Sequence, residues 1–198
     1  CLWALIPLYN IFNFATCPIE TLVEDGQGMT ITQLLKTRLF WLLAVLMICA
    51  GASELSMAQW ASAFAESALH VSKTVGDLMG PGLFAVFMGI SRVVYSRMGG
   101  KDTLRRFMIF SGILCVGCYL LAALGPLPLL RLIGCAACGF SVGIMWPGSI
   151  SISASALPTG GTALFALLAL AGDLGGSIGP AIVGAVSQTA GDNLKAGV

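Results

Sequence analysis

Five apolar stretches alternate with short polar turns along the chain, at residues 39–65, 76–95, 107–124, 129–156 and 163–187. A helix needs about 20 mostly apolar residues to cross the hydrocarbon core, and within it only a helix or a closed barrel satisfies its own backbone polar groups. The pattern predicts an all-α, polytopic transmembrane helix bundle. Leu2 to Thr16 is apolar but too short for a crossing, so residues 1–16 are expected to be the inner end of a truncated transmembrane helix. Residues 17–38 read as a cytoplasmic linker. In it Gly26-Gln27-Gly28 breaks any helix, and Thr30 to Arg38 has the pattern of a short amphipathic helix along the membrane surface. Residues 39–188 make the five-helix bundle, and residues 189–198 an external turn leading into the start of a last helix near Lys195.

The spans are not uniform. The first has a plain apolar inner half, Phe40 to Ala50. Its outer half carries Ser53, Glu54, Ser56, Gln59 and Ser62, which at about 100° per residue lie all round the helix. Such a half cannot face lipid, so it is expected to line a wet cavity or to be partly unwound. The second span opens on Gly80-Pro81-Gly82, which should loosen or kink it near its outer end, and the fourth carries Trp146-Pro147-Gly148 at its centre, where a kink is expected. Ser149, Ser151, Ser153 and Ser155 then alternate as in a strand, but within a membrane they are better read as hydroxyls bonding back to their own helix. In the fifth, Gly172, Gly176, Pro180 and Gly184 recur every fourth residue beside Asp173, a smooth groove for close helix contact.

Composition agrees with the pattern. With 57% hydrophobic and 10% charged residues the chain stands apart from soluble domains. The net charge of +1 decides little; where the charges fall decides more. Gly89 to Phe107 holds Arg92, Arg97, Lys101, Arg105 and Arg106, five of the ten Lys and Arg residues, and reads as a basic turn between two spans. Cationic residues crowded beside spans mark the cytoplasmic side. Lys36 and Arg38 fall on the same side, against Lys73, Arg131 and Lys195 on the other, and a nucleic-acid partner is not expected.

Two chemical readings need weighing. Cys115, Cys118, Cys135 and Cys138 form a C-x2-C pair of pairs that fits a zinc-site expression. All four lie in spans without His, Asp or Glu. The readings are metal, disulfide, and close packing by small, weakly polar residues, with packing preferred and no metal or other cofactor expected. The only His is His70, in an external loop, and no His-Glu, Ser-Lys or paired-Asp arrangement occurs in the spans, so no catalytic residue is assigned and an intramembrane enzyme is not the reading. Ionisable residues at membrane depth are costly, which makes Glu54 and Asp173 functional candidates. Each has a plainer reading: a cavity-lining carboxylate bonded to neighbours for Glu54, an interhelical hydrogen bond for Asp173.

Four features then resemble the second, C-terminal half of a major facilitator superfamily transporter: the linker ahead of Leu39, the basic turn, Trp146-Pro147-Gly148, and Gly172 to Pro180. The turn resembles the family's inner-loop signature at Arg97, Gly99 and Lys101, which implies a cytoplasmic gating loop. Ser96 stands where the signature has Asp, Gly100 where it has a basic residue and Arg92 where it has Gly, so the Asp-mediated gating contact is not carried over. The stretch from Gly51 to Trp60 is most similar to the sugar-porter branch that includes fucose permease. The resemblance implies a six-helix half lacking its last helix, with the N-terminal half of the same protein as its missing partner. It implies a multi-pass protein of the plasma, or bacterial inner, membrane that moves a small polar solute, a sugar, by alternating access around a midplane site. A proton or sodium ion is the candidate coupling ion. Glu54, Gln59, Trp60, Trp146 and Asp173 are the expected substrate-binding or ion-coupling residues, the two tryptophans by stacking on a sugar ring or else as packing and interfacial anchors. The alternatives are an exporter of drugs or metabolites and a non-transporting sensor or scaffold.

Overall fold

The computed structural model describes Tyr9, residues 28–98 and residues 101–189. Of the expected segments, most of residues 1–27, Gly99, Gly100 and residues 190–198 lie outside the described residues, among them Lys195. Helices run through nearly all the rest: α1 (Ile31–Lys36), α2 (Arg38–Leu69), α3 (Lys73–Met98), α4 (Lys101–Leu124), α5 (Pro128–Val142), α6 (Met145–Ala156), a 3-10 turn (Pro158–Gly160) and α7 (Gly161–Thr189). Among the described residues these make five segments long and apolar enough to cross a membrane: Arg38–Glu66, Lys73–Met98, Thr103–Leu124, Pro128–Ala156 and Pro158–Thr189.

Helix α1 owes its start to a capping box. Thr30 and Gln33 satisfy each other's backbone N–H, the Thr30 N–H donating to Gln33 Oε1 at 2.9 Å and the Gln33 N–H to Thr30 Oγ1 at 3.4 Å. Its exposed Ile31 and Leu35 suit a membrane surface, while Leu34 is fully buried in a cluster with Phe40, Leu43, Met47, Leu164 and Leu168. The Met29 N–H donates to the Thr159 carbonyl at 2.8 Å. The segment is therefore docked between α2 and α7 at one end of the bundle.

Helix α2 is continuous through its polar half, so that half is not unwound. It is the central element, packed against α7, α3 and α5. Glycines set these contacts, because helices approach more closely where no Cβ intervenes. A Cβ at Gly175 would strike the Ile48 backbone, one at Gly51 the Gly172 carbonyl, and one at Gly179 the Ala52 Cα at 2.9 Å. The groove on α7 is thus real, but Gly175 and Gly179 press nearest the α2 backbone, next to the regular row of Gly172 and Gly176, which meet side chains. Gly80 abuts the Ala61 carbonyl in the same way, and α3 continues as a helix through Pro81.

Helices α4 and α5 pack through Gly134, whose added Cβ would lie 3.0 Å from the Cys118 carbonyl. Cys115, Cys118, Cys135 and Cys138 are free thiols buried in one apolar cluster with Met57, Ala61, Phe84 and Val142. The serine alternation is helical. Ser151, Ser153 and Ser155 donate to the carbonyls of Pro147, Ser149 and Ser151 at 2.9, 2.7 and 3.1 Å.

One expectation needs correction. The stretch from Gly89 to Phe107 is not a loop: α3 runs on to Met98 and α4 begins at Lys101. Arg92 and Arg97 are helical residues of α3, and Arg105 and Arg106 belong to α4. The apolar Val93, Val94 and Tyr95 carry the helix past Arg92, which leaves that arginine inside the span.

Candidate functional site

The site begins with a proline. Helix α5 ends at Val142, Gly143 donates to the Gly139 carbonyl at 3.1 Å, and α6 resumes after Ile144. In an unbroken helix the Gly143 carbonyl would accept the N–H of residue 147, but that residue is Pro147, which has none. Arg92 takes the vacant place, its Nε donating to the Gly143 carbonyl at 2.9 Å. The approach is possible because position 143 has no side chain: a Cβ there would lie 2.8 Å from the Met88 carbonyl and 3.0 Å from the Ser91 Cβ.

Depth gives this contact its meaning. Gly143 lies 15 residues after Pro128 and 13 before Ala156, so at about 1.5 Å per residue it is roughly 20 Å from either end of the span. Glu54 lies 16 residues after Arg38 and 15 before Leu69, also near mid-span. Glu54 therefore sits near mid-span, and Arg92, rooted closer to the end of α3, reaches with its Nε to the mid-span Gly143.

Both line one open cavity of about 820 Å³, with Tyr95 of α3 and Ile144, Trp146, Pro147, Ile150 and Ser151 from the break and α6. The Arg92 charge acts on Glu54 electrostatically, yet the Glu54 carboxylate makes no direct hydrogen bond or ion pair among the described residues. Nor does either terminal nitrogen of Arg92, since its one hydrogen bond leaves from Nε. The Trp146 ring rests on Gly172 of α7, where an added Cβ would meet its six-membered ring. The arrangement offers an acid, a fixed base, two aromatic rings and an aliphatic wall, which suits a small polar solute with an apolar face.

Of the residues expected from sequence, Glu54 and Trp146 meet in this cavity. Gln59 is exposed and not among its lining residues, and Trp60 packs at the edge of the cysteine-containing core, its buried Nε1 without a hydrogen-bond partner. Asp173 is exposed on α7, also away from the lining, with its carbonyl accepting from Ser177 Oγ at 2.9 Å. Arg97 is exposed at the end of α3 and Lys101 opens α4, while Gly99 between them lies outside the described residues. Arg92 and Tyr95 are the residues that sequence reasoning missed. The apolar run after Arg92 was the available signal.

The profile of the Major Facilitator Superfamily matches residues 13–180. No curated protein and no solved structure gives a significant match to the chain.

Proposed function

We propose, since the chain belongs to the Major Facilitator Superfamily and is thus an integral, multi-pass membrane protein of transporter type, that it moves a small polar solute, a sugar in the first instance, by alternating access. The observation that carries the proposal is that Glu54, near mid-span, shares one cavity with Trp146 and with Arg92, whose head reaches the mid-span Gly143. Ionisable groups are costly at that depth and are retained where they serve a solute or ion pathway. On this reading Glu54 accepts a solute hydroxyl or carries a coupled proton, and Trp146 offers a ring face to the solute. The likeness to the sugar-porter branch rests on the stretch from Gly51 to Trp60, which contains Glu54.

The open side of the cavity supports a second helical half covering this face, with the five spans being those of a C-terminal half. The basic ends of α3 and α4, together with Lys36 and Arg38, would then face the cytoplasm.

Uptake by the full-length transporter in proteoliposomes tests the function and the role of Glu54 together. If Glu54 carries a proton, Glu54→Gln abolishes uphill accumulation and spares counterflow, which needs no net proton movement. If it binds solute, both fall together. Full activity of the variant in both assays returns Glu54 to a structural role.

A further inference from the structure

We infer that the solute carries a carboxylate, which docks on the two terminal nitrogens of Arg92 while a hydroxyl group of the same solute donates to Glu54. This rests on the transport reading above and narrows it from neutral sugars to sugar acids.

The argument starts from how Arg92 is held. Its Nε is fixed by the Gly143 carbonyl at 2.9 Å, a partner that exists because Pro147 cannot use that carbonyl. Fixing Nε orients the planar guanidinium and leaves the opposite edge, the pair of Nη groups, without a partner among the described residues. Two parallel N–H donors match the two oxygens of a carboxylate, and such bidentate pairs are the strong, geometrically selective ones. A guanidinium held in place beforehand also loses less freedom on binding than a flexible one.

The second part concerns Glu54. Glu54 is half-buried and Arg92 exposed along the open side of the cavity, so each charge is reachable by a solute. Here they share a cavity and make no direct ion pair, with the volume of about 820 Å³ between and around them. A neutral sugar would use Glu54 and Trp146 but leave the two Nη groups of Arg92 without an acceptor of matching geometry. An acid bearing its own hydroxyl donor engages both charged residues, its carboxylate on the Arg92 fork and its hydroxyl on Glu54.

The probes are glucuronate and glucose, which share a ring and differ in the carboxylate, added to the purified full-length transporter while its thermal unfolding is followed. Glucuronate should stabilise the protein at concentrations where glucose does not. Arg92→Gln keeps an N–H for the Gly143 carbonyl and removes the charge; Arg92→Lys keeps the charge and loses the fork. Loss of a charge-assisted bidentate pair should weaken glucuronate binding about tenfold to a hundredfold in Arg92→Gln, with a smaller loss in Arg92→Lys. A residue that only caps the Gly143 carbonyl would change the response to both probes alike, and an unchanged ratio overturns the inference. Stabilisation by glucose but not glucuronate overturns it too and leaves the polar-solute reading standing, whereas stabilisation by neither overturns both. Should the unliganded variants unfold early, entry of labelled glucuronate into proteoliposomes of the unmodified protein decides. Trapped unlabelled glucuronate should drive counterflow more strongly than trapped glucose, and the reverse order overturns the inference.

Discussion

Arg92 of α3 is hydrogen-bonded through Nε to the carbonyl of Gly143, at 2.9 Å, in the two-residue break between α5 and α6. The bond joins two spans near mid-depth and ties the position of a charged group to the shape of a broken helix. The missing N–H of Pro147 makes it possible.

Pro147→Ala should therefore act on the cavity without loosening the fold. The new N–H competes for the Gly143 carbonyl, so α5 and α6 become more continuous and Arg92 loses its anchor. Thermal stability in detergent should hold or rise, while solute affinity falls by about tenfold, the scale of one lost hydrogen bond to a charged group. A stability loss with affinity preserved would contradict this.

Close contact between α2 and α7 predicts a sharp contrast among glycines. Gly175→Ala places a methyl group on the Ile48 backbone and should cost about 1–3 kcal/mol of stability. Gly117 meets nothing within 4 Å, and Gly117→Ala should instead stabilise the helix by about 0.5–1 kcal/mol. Thermal unfolding of the two variants side by side measures the difference, and equal midpoints would be the adverse result.

The four buried thiols are expected to be packing groups. Replacing Cys115, Cys118, Cys135 and Cys138 together with Ala should leave the protein folded and active, at a cost of about 1 kcal/mol for each small loss of buried volume. The corresponding Ser set should be less stable, because it buries four hydroxyls in an apolar cluster. Metal analysis of the purified protein checks the alternative: zinc at one per chain, lost on replacement, would assign these residues a different role.

Orientation can be read with single cysteines in a cysteine-free background. Arg97 lies at the basic end of α3 and Ser72 in the turn between α2 and α3, both exposed. Arg97→Cys should react with an impermeant thiol reagent only from the cytoplasmic side, and Ser72→Cys only from the opposite side. The reverse pattern would invert every side assignment above.

Much of the bundle was determined by the sequence alone. Membrane crossing is a one-dimensional property, since any run of about 20 apolar residues must satisfy its backbone as a helix, and this finds all five spans and every turn except the one between α3 and α4, which is far shorter than the basic stretch suggests. The capping pair Thr30 and Gln33, the break at Pro147 and the back-bonded serines are equally local. The end of α3 was less legible. Arg97, Lys101, Arg105 and Arg106 drew Arg92 into one apparent loop, whereas the helix continues to Met98, with Val94 and Tyr95 packed against the cluster of Leu104, Phe107 and Ile144. Only the tertiary structure decided which polar groups share a cavity. Gln59 and Trp60 lie within six residues of Glu54, yet the groups that join it come from Arg92, Tyr95 and Trp146 on other helices. Sequence spacing orients residues on one helix, but the meeting of different helices is set by where glycines let their backbones approach, and by a carbonyl at Gly143 that needed a donor from elsewhere.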